Sequence, residues 1–287
     1  MDQLILTTLN GLALASILFI VSAGLTFTFG VMRILNLAHG ALYMVGAYVG
    51  WAVAVKQGLG FGLAVVAGGL AAAAIGVVME RGFLRHLHGG LNEQTVLTFG
   101  VVLILTNLAL WIWGPDAKPA FSPQFLSGTA DVGDVSFPTA RLGLIVTAAA
   151  IAALLWTIDK KTLIGARVRA GRDDRETLEA LGVNFDRLAM GLFAFGALLA
   201  GVGGVLGAQV LGANLGLSSS ILLLAVAVVV VGGLGSVAGA LLGAVIVGLV
   251  QAIGTGYFPG LASFTTYLLM VLILVVRPTG LLKGSEV

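Results

Sequence analysis

LILTTLNGLALASILFIVSAGLTFTFG, Leu4–Gly30, runs for 27 residues without a charged side chain. An α-helix rises 1.5 Å per residue and the hydrocarbon core of a bilayer is about 30 Å thick, so about 20 such residues suffice to cross it. In hydrocarbon every backbone N–H and C=O must be satisfied within the segment, and that selects a helix. Working outward, comparable runs recur at Gly40–Val55, Gly60–Met79, Thr95–Trp113, Leu142–Ile158, Leu188–Val210, Ser220–Val231, Val237–Ile253 and Phe264–Val276. The expected fold class is all-α: a polytopic transmembrane helical bundle of about eight to nine membrane segments with broken or half-helices. Ser220–Val231 is too short to cross upright. It reads as a half-helix, or as part of a helix broken at Gly232–Ser236.

Composition excludes the soluble classes. Hydrophobic residues make up 59% of the 287 and charged residues only 10%, against about 25% charged in soluble domains. A soluble fold this poor in charge could not cover its own surface. With no cysteine, neither disulfides nor thiolate metal sites can form. Met1-Asp2-Gln3 lacks the basic stretch of a cleavable signal, so the first run is expected to remain as a helix. The 42 glycines follow no collagen period; in a membrane they suggest close helix packing and broken helices. No soluble domain interrupts the array, so residues 1–287 read as a single transmembrane domain.

Charge orients the stack, because basic residues collect on the cytoplasmic side. Arg81 and Arg85 share one polar loop. Lys160, Lys161, Arg167, Arg169, Arg172, Arg175 and Arg187 share another, within about 159–187. Between them the loop of about 114–140 holds Asp116, Asp131 and Asp134 against Lys118. Both basic loops are therefore expected in the cytoplasm and the acidic loop outside, with an external N-terminus and a cytoplasmic C-terminus. Arg33, Arg277 and Lys283 agree and Lys56 does not. The outer loop, with Pro115, Pro119, Pro123 and Pro138, is long enough for a small cap. Leu25–Gly50 and Val228–Ile253 both read as helix, glycine-containing polar break, helix, a faint internal likeness.

Asp159–Arg187 is the most informative stretch. Asp173-Asp174-Arg175-Glu176 places an Asp at an N-cap with Glu three residues on, a capping-box pattern. Leu181-Gly182 offers the glycine that commonly ends a helix. Between them Leu178 and Leu181 share a face, and Arg175 and Glu179 can pair at i,i+4. A helix of two turns is marginal unless it docks on something. It is either a charged loop satisfying the positive-inside bias or a handle for a motor subunit. No Gly-Lys pair occurs, so the chain has no Walker A loop; ATP-driven transport would need a separate ATPase.

Asn36-Leu37-Ala38-His39-Gly40 is a polar break that lines either a pathway or gate, or forms an interfacial turn with Asn36 capping the next helix and His39 wetted by headgroups. Its place near the cytoplasmic edge favours the turn. Gly235-x-x-x-Gly239-x-x-x-Gly243 is a small-xxx-small stripe for close helix packing. Asn107, Gln209 and Gln251, with Thr98, Thr106 and Asn214, are isolated polar residues in or beside spans. Each could hydrogen-bond between helices or line the pathway. No Asp, Glu or Lys sits deep in a span, which argues against a proton-coupled secondary transporter. His86-x-His88 lacks the further ligands of a zinc site, and no catalytic constellation is legible.

Several of these stretches carry a resemblance. Gly24-Leu-Thr-Phe-Thr-Phe-Gly30 and Arg33-Ile-Leu-Asn-Leu-Ala-His-Gly-Ala-Leu-Tyr-Met-Val-Gly-Ala-Tyr48 resemble the first signature of the branched-chain amino acid ABC importer permeases. Gly165-Ala-Arg-Val-Arg-Ala170 and Ala180-Leu-Gly-Val-Asn-Phe-Asp-Arg187 resemble that family's cytoplasmic coupling loop. Val231-Gly-Gly-Leu-Gly-Ser-Val-Ala-Gly-Ala-Leu-Leu-Gly243 and Arg277-Pro-Thr-Gly-Leu-Leu282 are similar to its C-terminal signatures. The four motifs stand in order along the chain, which looks more like the first of the two homologous permeases. The resemblance implies a bacterial inner-membrane assembly. Its partners would be two cytoplasmic ATPases that bind ATP and Mg, a second permease or second copy, and a periplasmic binding protein; no nucleic acid is expected. Arg167, Arg169, Asp173, Arg175, Glu176, Leu178, Glu179, Leu181, Gly182 and Asn184 would couple to the ATPase. The implied cargo is a branched-chain or other hydrophobic amino acid. Urea, short amides or aromatic acids are alternatives within the same machine, and a stand-alone transporter or channel is the competing class.

Overall fold

The computed structural model describes residues 2–32, 36–87, 90–133 and 135–282. Arg33, His88, Asp134 and Lys283 lie outside the described residues, as do the side chains of Arg172, Asp173 and Arg175. Each of the nine apolar runs is a helix. They are α1 (Asp2–Met32), α2 (His39–Trp51, extended by a π-helical turn at Ala52–Lys56), α3 (Phe61–Gly82), α4 (Leu91–Trp113), α5 (Thr139–Lys161), α8 (Phe185–Leu211), α9 (Leu217–Gly232), α10 (Val237–Tyr257) and α11 (Ala262–Val276). Six of them, α1, α3, α4, α5, α8 and α10, are long and apolar enough to cross a membrane. The chain is a multi-pass membrane protein. Two further helices, α6 (Leu163–Asp173) and α7 (Arg175–Ala180), lie between α5 and α8.

One departure from an all-helical chain sits in the loop before α5. Strands β1 (Thr129–Val132) and β2 (Val135–Pro138) pair antiparallel, with Thr129 opposite Pro138 and Val132 opposite Val135. Phe137 and Val135 point inward and are buried, while Ser136 donates to Asp131 Oδ1 at 2.6 Å. The same loop is tied to the end of α8: Lys118 N–H donates to the Ala213 carbonyl at 2.7 Å, and Ala213 N–H returns the bond to Lys118 at 3.0 Å.

Glycine decides how closely the central helices approach. Gly24 of α1 lies against Gly196 of α8, Gly203 against Ile20 and Val21, and Gly207 against Ile17. As α8 ascends its partners on α1 descend, so the two helices run antiparallel. Gly46 of α2 and Gly68 of α3 both meet Gly201, and Gly248 of α10 meets Gly11 of α1. A methyl group would collide with backbone at Gly24, Gly46, Gly196, Gly201 and Gly248, and with the side chains of Val21 and Tyr43 at Gly203 and Gly207, which explains why Gly rather than Ala stands there. In the C-terminal stripe, Gly239 and Gly243 of α10 lie against Gly232 and Val228 of α9. Gly235 does not belong to that stripe: it precedes α10 with φ of 81° and serves the turn.

The succession long helix, break, short helix, two further helices occurs twice, as α1–α2–α3–α4 and as α8–α9–α10–α11. The packing is reciprocal. The lead helix of each half packs on the third element of the other, α1 on α10 and α8 on α3, and the two short helices meet each other. Since α1 and α8 are antiparallel, the halves form an inverted repeat of the kind found in many transporters. The counterpart of α1–α2 is α8–α9, a correction to the alignment of Leu25–Gly50 with Val228–Ile253, which matches α1–α2 to α9–α10. Glycine-rich breaks look alike wherever they fall, and the pairing of helices is what distinguishes them.

Candidate functional site

The two short helices begin inside the bundle. Gly40, in the first turn of α2, is pressed against the backbone of Ser218 in the first turn of α9. Asn36 shapes the approach: its Oδ1 accepts from Ala38 N–H at 3.0 Å and its carbonyl accepts from His39 N–H at 3.1 Å. That is the side-chain-closed turn for which Asn is suited. His39 is 0% exposed, and its Nε2 lies 2.9 Å from the Val21 carbonyl of α1. A carbonyl can only accept, so Nε2 carries the hydrogen and Nδ1 the lone pair. Nδ1 has no partner among the described residues, nor does the buried hydroxyl of Ser218. Ser22 of α1 donates to the Ala225 carbonyl of α9 at 3.3 Å and ties the second short helix to the same centre.

This corrects the reading of the first break as a wetted interfacial turn. Asn36 and His39 are buried, because α2 starts against the first turn of α9 inside the bundle. Helix amino ends present unpaired N–H groups and partial positive charge. The two ends meet at Gly40 and Ser218, and each carries a buried polar atom without a partner among the described residues, His39 Nδ1 and Ser218 Oγ, which makes this a polar centre within an apolar bundle. Ser218 was not legible in sequence, since Leu217-Ser-Ser-Ser220 reads only as the polar start of a run.

The other isolated polar residues do not join this centre. Asn107 is exposed on α4 and donates to the Leu103 carbonyl of its own helix at 2.8 Å. Gln209 is buried near the end of α8, with no partner for its Oε1 among the described residues. Gln251 of α10 lines a cleft with Asn10 and Arg141, and its Oε1 accepts from the Thr266 hydroxyl. Arg141, in the first turn of α5, donates to Asn10 Oδ1; sequence reading did not single it out.

The segment between α5 and α8 is built as a unit. Thr162 caps α6, accepting from Gly165 N–H at 3.3 Å, and Arg169 reaches back to Asp159 at 3.2 Å. Asp173 is the last residue of α6 and α7 begins at Arg175, so the acidic residue before α7 is Asp174, one position later than the capping-box pattern places it. Gly182 has φ of 82°, its N–H donates to the Glu179 carbonyl, and Val183 N–H donates to that of Leu178. This pair of bonds closes the helix through a left-handed glycine. Asn184 then caps α8, accepting from Arg187 N–H at 2.9 Å. Leu178 and Leu181 do not share an exposed face: Leu178 is 3% exposed and packs beneath Gly171 and Phe185, whereas Leu181 is 76% exposed. Arg167, Glu176 and Leu181 form the outward surface.

A polar centre at the meeting of two inverted halves, with a capped helical platform at one end of the bundle, is an arrangement found in many transporters. Residues 7–276 match the family described as the branched-chain amino acid transport system / permease component. This chain belongs to that family. The permease is 30% identical over 295 residues to the high-affinity branched-chain amino acid transport system permease protein LivH of Escherichia coli (strain K12), covering 97% of this chain and 95% of that protein. It is 29% identical over 296 residues to the corresponding protein BraD of Pseudomonas aeruginosa, with the same coverage. Protein LivM of Salmonella typhimurium is 27% identical over 301 residues, covering 94% of the permease and 68% of LivM. Similarity to both LivH and LivM identifies two kinds of related permease.

Proposed function

We propose that this chain is the pore-forming permease of a bacterial inner-membrane ABC importer for branched-chain amino acids. It works with a second homologous permease or a second copy, two cytoplasmic ATPases that bind ATP and Mg, and a periplasmic binding protein. In this reading the N-terminus is external and the C-terminus cytoplasmic. Residues 114–140 face the periplasm, and residues 159–187 receive the ATPase. The observation that carries the reading is the exposed α6–α7 platform, closed by Gly182 and joined through the Asn184 cap directly to α8. Helix α8 is the lead helix of the second half and contacts α1, α2 and α3. A push on the platform would therefore be delivered to the helix that touches the polar centre.

The test is uptake of labelled leucine by proteoliposomes holding both permeases, the ATPases and the binding protein. Accumulation should require ATP and the binding protein. Uptake that proceeds equally without the ATPases would sink the importer reading in favour of a stand-alone carrier.

A further inference from the structure

An open cleft of about 410 Å³ lies between the start of α5 and the neighbouring ends of α1, α8 and α10. Part of its wall is aliphatic, from Ala13, Leu14 and Ile17; the polar part comes from Thr7, Asn10, Arg141, Gln251 and Thr255. The hydrogen bonds already made there decide what the wall can still bind. Arg141 can only donate, and it donates to Asn10 Oδ1, so that oxygen faces the guanidinium and the Asn10 NH₂ is turned away from it. Gln251 Oε1 likewise faces the Thr266 hydroxyl, and the Thr7 and Thr255 hydroxyls donate to the backbone carbonyls of Gln3 and Gln251. Among the described residues no Asp or Glu lines the cleft. The charge on the wall among the described residues is thus the positive one of Arg141, set beside amide groups and aliphatic surface.

Such a wall complements a carboxylate carried on a small aliphatic group. The guanidinium fork meets two carboxylate oxygens at once, while the α1 side chains cover the hydrocarbon. We propose that this cleft is a binding station for an aliphatic amino acid, with Arg141 holding the carboxylate and Asn10 orienting the guanidinium. The proposal rests on the import reading above and names contact residues for its substrate. Size favours a free amino acid over a phospholipid, whose two long chains would remain outside a cleft of this volume.

Because the chain has no cysteine, Ala252→Cys places a single thiol on the cleft wall. Its rate of maleimide labelling is read in proteoliposomes of the whole assembly without ATP. Leucine at twice its Kd should slow labelling about threefold; leucinamide, which lacks the carboxylate, should not. Arg141→Gln in the same background should abolish the protection, and Arg141→Lys should retain part of it, keeping the charge but not the fork. Equal protection by leucinamide, full protection by leucine in Arg141→Gln, or protection that follows the phosphatidylglycerol content of the vesicles instead of leucine would each overturn the proposal. Should Arg141→Gln fail to assemble, the contrast between leucine and leucinamide decides alone. Protection lost with ATP-driven uptake intact counts against the cleft; uptake independent of ATP with protection intact counts against the importer reading.

Discussion

At the scale of single residues, the centre is held by groups that tolerate little change. A methyl at Gly40 would run into the Ser218 carbonyl, whereas one at Gly62 of α3 meets nothing within 4 Å. Gly40→Ala should therefore cost about 1–3 kcal/mol. Gly62→Ala should be neutral or stabilising, by at most about 1 kcal/mol. Thermal unfolding of the detergent-solubilised assembly checks the pair, and equal midpoints would show that α2 and α9 do not touch there. His39→Ala removes the bond to Val21, for which about 0.6 kcal/mol is the average between membrane helices, and also leaves a buried cavity, so it should lower stability by more than that bond alone. The polar character of Asn36 and His39 was legible in the sequence, but their depth was not. Depth depends on where the chain turns after α1, and an Asn that closes a local turn reads the same at a surface as in a core.

At the scale of elements, the nine apolar runs were legible because hydrocarbon leaves the backbone one option. The platform was legible only in part. The glycine stop at Gly182 was, since a left-handed closing residue is costly for any other side chain. Helix α6 was not, because its arginines hide the apolar residues beneath them and its cap, Thr162, lacks an acidic partner three residues on. The hairpin β1–β2 escaped notice for a similar reason: four-residue strands are too short for alternation to register. The two leucines of the platform now separate by effect. Leu178→Asp buries a carboxylate and should reduce the yield of folded permease. Leu181→Asp should leave yield unchanged while leucine uptake falls at least several-fold. Full uptake by Leu181→Asp would show that the exposed leucine contacts no motor. Gly182→Ala, forced into the left-handed region, should cost about 1–2 kcal/mol and soften the platform, read as faster proteolysis of residues 163–184.

For the molecule as a whole, the sidedness argued from Lys and Arg is open to a direct measurement. Phe125, in the loop before β1, is 83% exposed, so Phe125→Cys and Leu181→Cys give single thiols at opposite ends of the bundle. In intact spheroplasts an impermeant maleimide should label the first and spare the second until the membrane is opened. The reverse pattern would invert the topology and remove the platform from any cytoplasmic ATPase. The inverted repeat was only faintly legible, and in the wrong register. The two halves share an order of elements and a reciprocal packing, which lie in three dimensions rather than in any run of residues.

The contacts of Gly24 with Gly196, Gly46 and Gly68 with Gly201, and Gly11 with Gly248 have a mechanical consequence. Where bare main chain meets bare main chain, no side chains interlock as teeth do in a gear. Such surfaces resist being pulled apart, because every ångström of separation forfeits close contact, yet they offer little resistance to slipping lengthwise. These glycine crossings predict that any motion of α8 during transport is a glide along its neighbours rather than a hinge that opens a gap. Paired cysteines set one turn apart along α1 and α8 should cross-link in more than one register during turnover, and a single fixed register would contradict the glide.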